Sequence, residues 1–296
     1  MPDLRISAAK RALAGELRRL RELANMSGDE VAGELEWSAS KVSRIETNRI
    51  GIKPADLTRL LDLYGVDDAR RSQLIALLSE PEPPGWWNAY ADSIEPGYAA
   101  YISLEASATE FRCWSPELIH GLLQTEDYAD AIMDIHAFPA VSHPPPITMR
   151  RRVEVRMRRQ DLLASPDRKG FIFILDEATL LRRYGDRELM RRQLLHINDV
   201  SRLPNVTIRV LAFSGRHPVV GLGAFTLLQF ATLHGIAITD VVYIEQLTRN
   251  DIIDDEEAAY EYRLAFDRIS HEALDEEASR RLIAQIAEEL WSAPTA

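Results

Sequence analysis

Apolar residues recur at helical spacing through the first eighty positions of the chain. Leu13, Leu17, Leu20 and Ala24 make one stripe, with Arg18, Arg19 and Arg21 on other faces. Val31, Ala32 and Leu35 make a second stripe, and Val42 and Ile45, three apart, a third. Lys53-Pro54 then opens a fourth helix with Leu57, Leu60, Leu61 and Tyr64 on its buried side, proline suiting the first helical turn. After Gly65-Val66-Asp67, a fifth carries Leu74, Leu77 and Leu78. The second and third stripes lie very close in sequence. In residues 27–46, SGDEVAGELEWSASKVSRIE, two short helices are joined by a tight turn. Small Ala32 lets the helices cross closely, Trp37 plugs the turn, and Ser38 is a good N-cap for the second of the two.

The outward positions of that second short helix are Ser40, Lys41, Ser43 and Arg44, all hydrogen-bond donors. That is the chemistry of a face that reads a DNA groove rather than one that packs. With these residues in hand, residues 9–79 resemble the phage-repressor-like (Xre) helix-turn-helix family, whose recognition helix ends in Arg-Ile-Glu, here Arg44-Ile45-Glu46. The resemblance implies that Glu46 pairs with an arginine of the first helix, Arg18. It also implies that Ala39, Ser40 and Arg44 face bases, Arg44 having the strongest chemical case because a guanidinium can bond guanine O6 and N7 together. Ser38 and Ser43 stand on the same helix. Lys41, Asn48, Arg49 and Lys53, with Ser27 at the start of the preceding helix, are expected to hold phosphate. One departure stands out: Glu36 occupies a turn position where the family has glycine, so a positive φ is expected there. Double-stranded DNA is the expected partner. A homodimer is expected too, since such domains commonly read two half-sites.

Charge qualifies that picture. The chain carries 35 basic and 46 acidic residues, a net −11, but residues 1–80 hold 13 of each. The first domain is therefore neutral, and it must rely on Lys41, Arg44, Arg49 and Lys53 against Glu46, a local +3.

Past residue 80 the character changes. EPEPPGWWNAYADSIEPGY (80–98) breaks the fifth helix with Pro81, Pro83, Pro84 and Gly85, while Trp86, Trp87 and Tyr90 imply a connection that packs. The expected organisation is a domain at 1–80, a Pro/Trp-rich connection at 81–98 and a larger domain at 99–292. YISLEASATEFRCW and PELIHGLLQTEDYADAIM read as helices. His143-Pro144-Pro145-Pro146 reads as a break before the arginine-rich helix MRRRVEVRMRRQDLL. Then FIFIL (171–175), VTIRVLAF (206–213), AFTLLQF (224–230) and VVYIEQL (241–247) read as strands, and 255–272 and 275–291 as closing helices. The expected fold is α+β overall: an all-α five-helix domain, then an α+β domain with a mostly antiparallel sheet. Arg150, Arg151, Arg152, Arg156, Arg158 and Arg159 could contact DNA flanking the operator, but are expected instead to pair with residues 249–296, which hold 13 acids and 5 bases, within the domain or across a dimer.

The ordered segments Gly121-Leu122-Leu123-Gln124-Thr125-Glu126-Asp127-Tyr128-Ala129, Arg159-Gln160, Asp176-Glu177-Ala178 and Pro204-Asn205-Val206-Thr207 are similar to an uncharacterised domain. It is found behind Xre-type domains in actinobacterial regulators. Those regulators are antitoxin-like and usually encoded beside a small protein, so the resemblance implies a regulator whose larger half binds a partner or an effector. Two alternatives stay open: an antitoxin-like protein that mainly sequesters a small protein partner, and a repressor sensing a small molecule.

No catalytic, cofactor or metal residues are expected. His120, His136, His143, His196, His217, His234 and His271 are scattered without HExxH spacing, and Gly221-Leu222-Gly223 lacks a third glycine. Glu105, Glu110, Asp176 and Glu177 read as ordinary carboxylates, with Asp176 the N-cap of a helix after FIFIL. Cys113, the only cysteine, excludes an intrachain disulfide and reads as a core residue. The N-terminus is charged throughout and no run reaches the ~20 apolar residues of a bilayer span, so a cytoplasmic protein is expected.

Overall fold

The computed structural model describes residues 7–81, 85–136, 145–164, 169–216, 218, 221–246 and 250–292. Pro83, Pro84, His143, Pro144 and His217 lie outside them. The chain divides into two compact units. The first comprises Met1–Gly85 with Ser103–Ala108 and Phe230–Thr239; the second comprises Trp86–Ile102, Thr109–Gln229 and Asp240–Ala296.

In the first unit the helices are α1 (Ala8–Leu23), α2 (Gly28–Leu35), α3 (Ala39–Glu46), α4 (Pro54–Leu63) and α5 (Asp68–Leu78). Serine or aspartate hydroxyl and carboxylate oxygens cap four of them: Ser7, Ser27, Ser38 and Asp67 each accept a backbone N–H of the first turn. The fourth helix instead starts on proline. Leu13, Leu17, Val31, Ala32, Leu35, Val42, Ile45, Leu57, Leu60, Leu61, Leu74 and Leu77 form one buried cluster. Ile236 and Ile238, from Phe230–Thr239, complete it. That segment is fastened at its turn, where His234 contacts Glu80 at 2.7 Å and the Arg70 side chain donates to the Gly235 carbonyl. Gly235 adopts φ +76°, with Gln73 so close that a Cβ there would meet it at 2.7 Å.

The second unit is built on a six-stranded sheet ordered β3-β2-β1-β4-β5-β6. Its strands are β1 (Glu110–Ser115), β2 (Gly170–Asp176), β3 (Val206–Leu211), β4 (Phe225–Gln229), β5 (Val241–Glu245) and β6 (Asn250–Ile253). The helices of this half of the chain are α6 (Pro96–Ser107), α7 (Glu126–His136), α8 (Pro146–Arg159), α9 (Glu177–Leu181), α10 (Arg187–Val200), α11 (Glu256–Glu272) and α12 (Glu276–Glu289). The expected α+β class holds, but the sheet is mixed rather than mostly antiparallel. β1, β2 and β3 run parallel, while β1–β4, β4–β5 and β5–β6 are antiparallel. The reason is the connections: α7 and α8 separate β1 from β2, and α9 and α10 separate β2 from β3, crossovers that parallel neighbours require.

EFRCWS corrects a second expectation. It is not the end of a helix but one of the two central strands, with Phe111 opposite Phe171 and Leu228. Trp114, Ile174, Phe225, Leu227 and Val242 pack with Phe266 and Ile269 of α11 on one face, while the Phe111 and Phe171 rings stack at 4.6 Å between centroids. Asp176 does cap α9, accepting from the Ala178 N–H.

The arginines of α8 correct a third. Arg151 pairs with Asp92 at 2.8 Å and donates to the Ala89 carbonyl, Arg152 donates to the Ser93 carbonyl, and Arg156 to Gln124. Arg159, 4 % exposed, reaches the Tyr98 and Tyr101 hydroxyls. Their partners thus come from the 86–101 segment and from the loop ending at Gln124. The acidic closing helices take other arginines: Arg112 with Asp267 and Arg191 with Glu288.

Candidate nucleic-acid interface

The turn before α3 is set by the end of α2. Glu36 has φ 55° and ψ 40°, the left-handed conformation expected at that position. The Trp37 N–H returns to the Ala32 carbonyl at 2.8 Å, which closes the end of α2 and redirects the chain into α3. This side chain in a region natural to glycine costs on the order of 1 kcal/mol.

The far end of α3 is closed similarly. Asn48 takes φ 51°, which asparagine tolerates, and the Arg49 and Ile50 N–H groups return to the Arg44 carbonyl. Asn48 therefore acts first as the residue that ends the helix.

Val42 and Ile45 are buried, and this fixes what α3 shows to solvent: Ser38, Ala39, Ser40, Ser43 and Arg44 are exposed. Arg49 and Lys53, beyond its end, are exposed as well, and neither side chain makes a hydrogen bond among the described residues. Arg44 bends one turn back, its Nε donating to the Ser40 carbonyl at 3.1 Å. A guanidinium on a short carbonyl tether keeps its other donors available at small entropic cost.

Two residues expected on phosphate are engaged elsewhere. Lys41 Nζ lies 2.9 Å from Asp56 of α4 and 3.6 Å from the centre of the Trp37 ring. Ser27 is committed to a capping box: its N–H and Oγ both meet the Glu30 carboxylate, and its Oγ accepts the Glu30 N–H. Those bonds from Ser27 hold the Glu30 carboxyl below its ordinary value. The start of α2 thus presents negative charge.

Glu46 pairs with Arg21, not with Arg18. Arg21 meets both its carboxylate oxygens, at 2.8 and 3.0 Å, while Arg18 sits exposed on Glu22. Helical geometry explains the choice. Arg21 is four residues beyond buried Leu17 and so lies on the inward side of α1; Arg18 is one beyond it, about 100° away. This link, Trp37 as a platform for Lys41, and Asp56 are features of the candidate site that the local pattern leaves unmarked. Only the i+4 position of Arg21 signals any of them.

The remaining polar groups are mostly absorbed by structure. His120 accepts the Leu122 N–H at Nδ1 and faces Thr226 through Nε2. Burial, then the charges of Arg159 and Arg156, push its pKa down to about 3. Glu177 accepts the Phe213 N–H, Glu110 pairs with Arg112, and Cys113 and Glu105 are buried. Among the described residues no group of three His, Cys, Asp or Glu side chains is placed to hold a metal ion, and no helix is long and apolar enough to cross a membrane.

Comparison with known proteins places this geometry in a family. Residues 12–74 match the model of a helix-turn-helix domain, and residues 98–285 that of a domain of unknown function (DUF5753). The second match spans more than half of the chain, which therefore belongs to the DUF5753 family and carries a helix-turn-helix domain ahead of it. No curated protein and no solved structure matches the chain.

Proposed function

We propose that the chain is a sequence-specific, DNA-binding transcriptional regulator of the Xre type, acting as a cytoplasmic homodimer of actinobacterial kind. In this reading α3 enters the major groove. Arg44 reads guanine, Ala39 contacts a thymine methyl, Ser40 and Ser43 face base edges or sugar, and Arg49 and Lys53 hold phosphate. The larger domain serves dimerisation and binds an effector or a partner. The observation that carries the reading is the division of α3: its two apolar residues are buried and its small donors and Arg44 are exposed. A helix kept only for packing would have no reason to leave Ser40, Ser43 and Arg44, with Arg49 and Lys53 beyond them, together in water. With Ala39 and Ser40 so small, direct reading leans on Arg44, and DNA shape supplies the rest of the selectivity.

Binding-site selection on random duplexes with the full-length protein tests this, repeated with Arg44→Ala. An enriched palindrome that fades in the variant, with a loss of about 1–3 kcal/mol on the best site, is the expected result. Folded protein that enriches nothing would sink the proposal. It would turn attention to the two alternatives, sequestration of a small protein partner and small-molecule sensing by the larger domain.

A further inference from the structure

We propose that Asp56 is an electrostatic brake on DNA binding by α3, a residue that keeps the Lys41 ammonium docked on the protein and so withholds one cation from phosphate. The inference rests on the DNA-binding reading and concerns how strongly that face binds.

Three observations carry it. Lys41 lies at the third position of the exposed helix, where a lysine stem reaches outward easily, yet its Nζ is drawn to Asp56 Oδ2 at 2.9 Å. Both side chains are withdrawn from solvent, 29 % and 22 % exposed, so the pair is far less screened than one at the surface. The ammonium also sits 3.6 Å from the centre of the Trp37 ring, a favourable position for a cation.

The dock itself is rigid. Asp56 is in the first turn of α4, where the helix dipole favours a carboxylate whether or not Lys41 is present. Trp37 packs against the core cluster, and Arg59 lies 5.6 Å from its ring while donating to the Leu35 carbonyl at 2.7 Å. Among the described cations of residues 38–53, Lys41 is thus the one held in an ion pair. Moving it onto DNA would break that pair and leave the Asp56 carboxylate facing a polyanion. In a unit of zero net charge over residues 1–80, a single withheld cation is a large share of the local attraction.

The test is a salt titration of the full chain on its selected duplex and on a scrambled one. The variants are Asp56→Asn, Lys41→Gln, the two combined, and Glu36→Gln as a control that removes an exposed carboxylate from the turn before α3 without releasing a lysine. Asp56→Asn is expected to tighten both duplexes alike, roughly five- to tenfold at low salt, and to steepen the log–log salt dependence by about 0.9, the mark of one more phosphate contact. The double variant should return to wild-type affinity and slope, and Glu36→Gln should leave the slope unchanged. Asp56→Ser, which also suits a first helical turn, replaces Asp56→Asn if the latter melts early. Weaker binding by folded Asp56→Asn overturns the brake. So does a gain that persists in the double variant, or one that Glu36→Gln reproduces in both affinity and slope. If the wild type and every variant ignore both duplexes, the DNA reading falls and takes the brake with it.

Discussion

The arginine-rich α8 and the shorter stretch on and after α3 differ in how far the protein engages their cations. On α8 the guanidiniums of Arg151, Arg152, Arg156 and Arg159 turn to Asp92, backbone carbonyls, Gln124 and tyrosine hydroxyls. On and after α3 there are fewer cations: Lys41 is paired with Asp56, but Arg44, Arg49 and Lys53 stay exposed, and of these three only Arg44 is tethered, by a single bond to its own helix. Density of positive charge along a sequence is therefore a poor guide to which cations stay free of protein partners. What decides is whether the protein has already supplied each cation with an oxygen.

The sharpest way to break this contrast is at Arg159. Replacing it with alanine removes a nearly buried charged side chain together with its bonds to the Tyr98 and Tyr101 hydroxyls, so the unfolding free energy should fall by about 3–5 kcal/mol. Arg44→Ala should change it by no more than about 0.5 kcal/mol, as exposed substitutions do. Urea unfolding of both variants measures the difference. An Arg159→Ala protein of normal stability that had lost DNA affinity would reverse the assignment of the two helices.

Next in size is the arginine that anchors α3 to α1. Arg21 and Glu46 are 15 % and 8 % exposed at the side chain, so deleting either leaves a largely desolvated charge without its partner. Arg21→Ala should cost about 2–4 kcal/mol and loosen α3. Arg18→Ala, on a surface pair with Glu22, should cost less than about 0.5 kcal/mol. Equal effects from the two would mean that α3 is held by its apolar contacts alone.

The same first unit holds other arginines away from α3, and this gives the contrast a pH axis. Glu16 receives Arg19 and Arg70, each at 2.7 Å. Burial alone would raise its pKa, but the hydrogen bonds and charges of the two arginines outweigh burial and bring it below the ordinary 4.5. A carboxyl depressed in the folded state contributes stability above its unfolded pKa, and that contribution is lost as the pH falls through the folded value. Urea midpoints measured from pH 7 to pH 3 should therefore drop more steeply below about pH 4.5 for the wild type than for Glu16→Gln. Parallel curves would show that the network contributes nothing that titrates.

How much of this was legible in the sequence depends on how local each cause is. The five helices of the first unit rest on apolar spacing and on caps within three residues, and each stripe from Leu13 to Leu77 lies where that spacing puts it. The left-handed Glu36 was readable only through the family resemblance, which has glycine at that turn. β1 was not: Glu110 to Cys113 alternate for only four residues before buried Trp114 and Ser115 break the pattern, Trp114 being covered on its face of the sheet by Phe266 and Ile269. β6, four residues beginning Asn-Asp, is an edge strand with almost no β-forming signal. The partners of α8, the pairing of Lys41 with Asp56, and the place of Ile236 and Ile238 in the first unit's core all join residues distant in sequence. Charge counts could balance the acids of 249–296 against α8, but no count says which guanidinium meets which oxygen.

The smallest expected effect probes the two cations beyond the end of α3. Arg49 and Lys53 touch no carboxylate among the described residues, so neither should matter to folding. Arg49→Ala and Lys53→Ala should each leave the melting temperature unchanged, weaken selected and scrambled duplexes by the same factor, and lower the log–log salt slope by about 0.9. The two losses should add, because the side chains share no partner. This uniform loss separates them from Arg44, whose removal should weaken the selected duplex more than the scrambled one. If Arg49→Ala instead changed which sequence is preferred, its guanidinium would be reaching a base edge. The reading face would then extend past the end of α3, where Asn48 turns the chain, and the selectivity attributed to Arg44 and DNA shape would have to be shared with it.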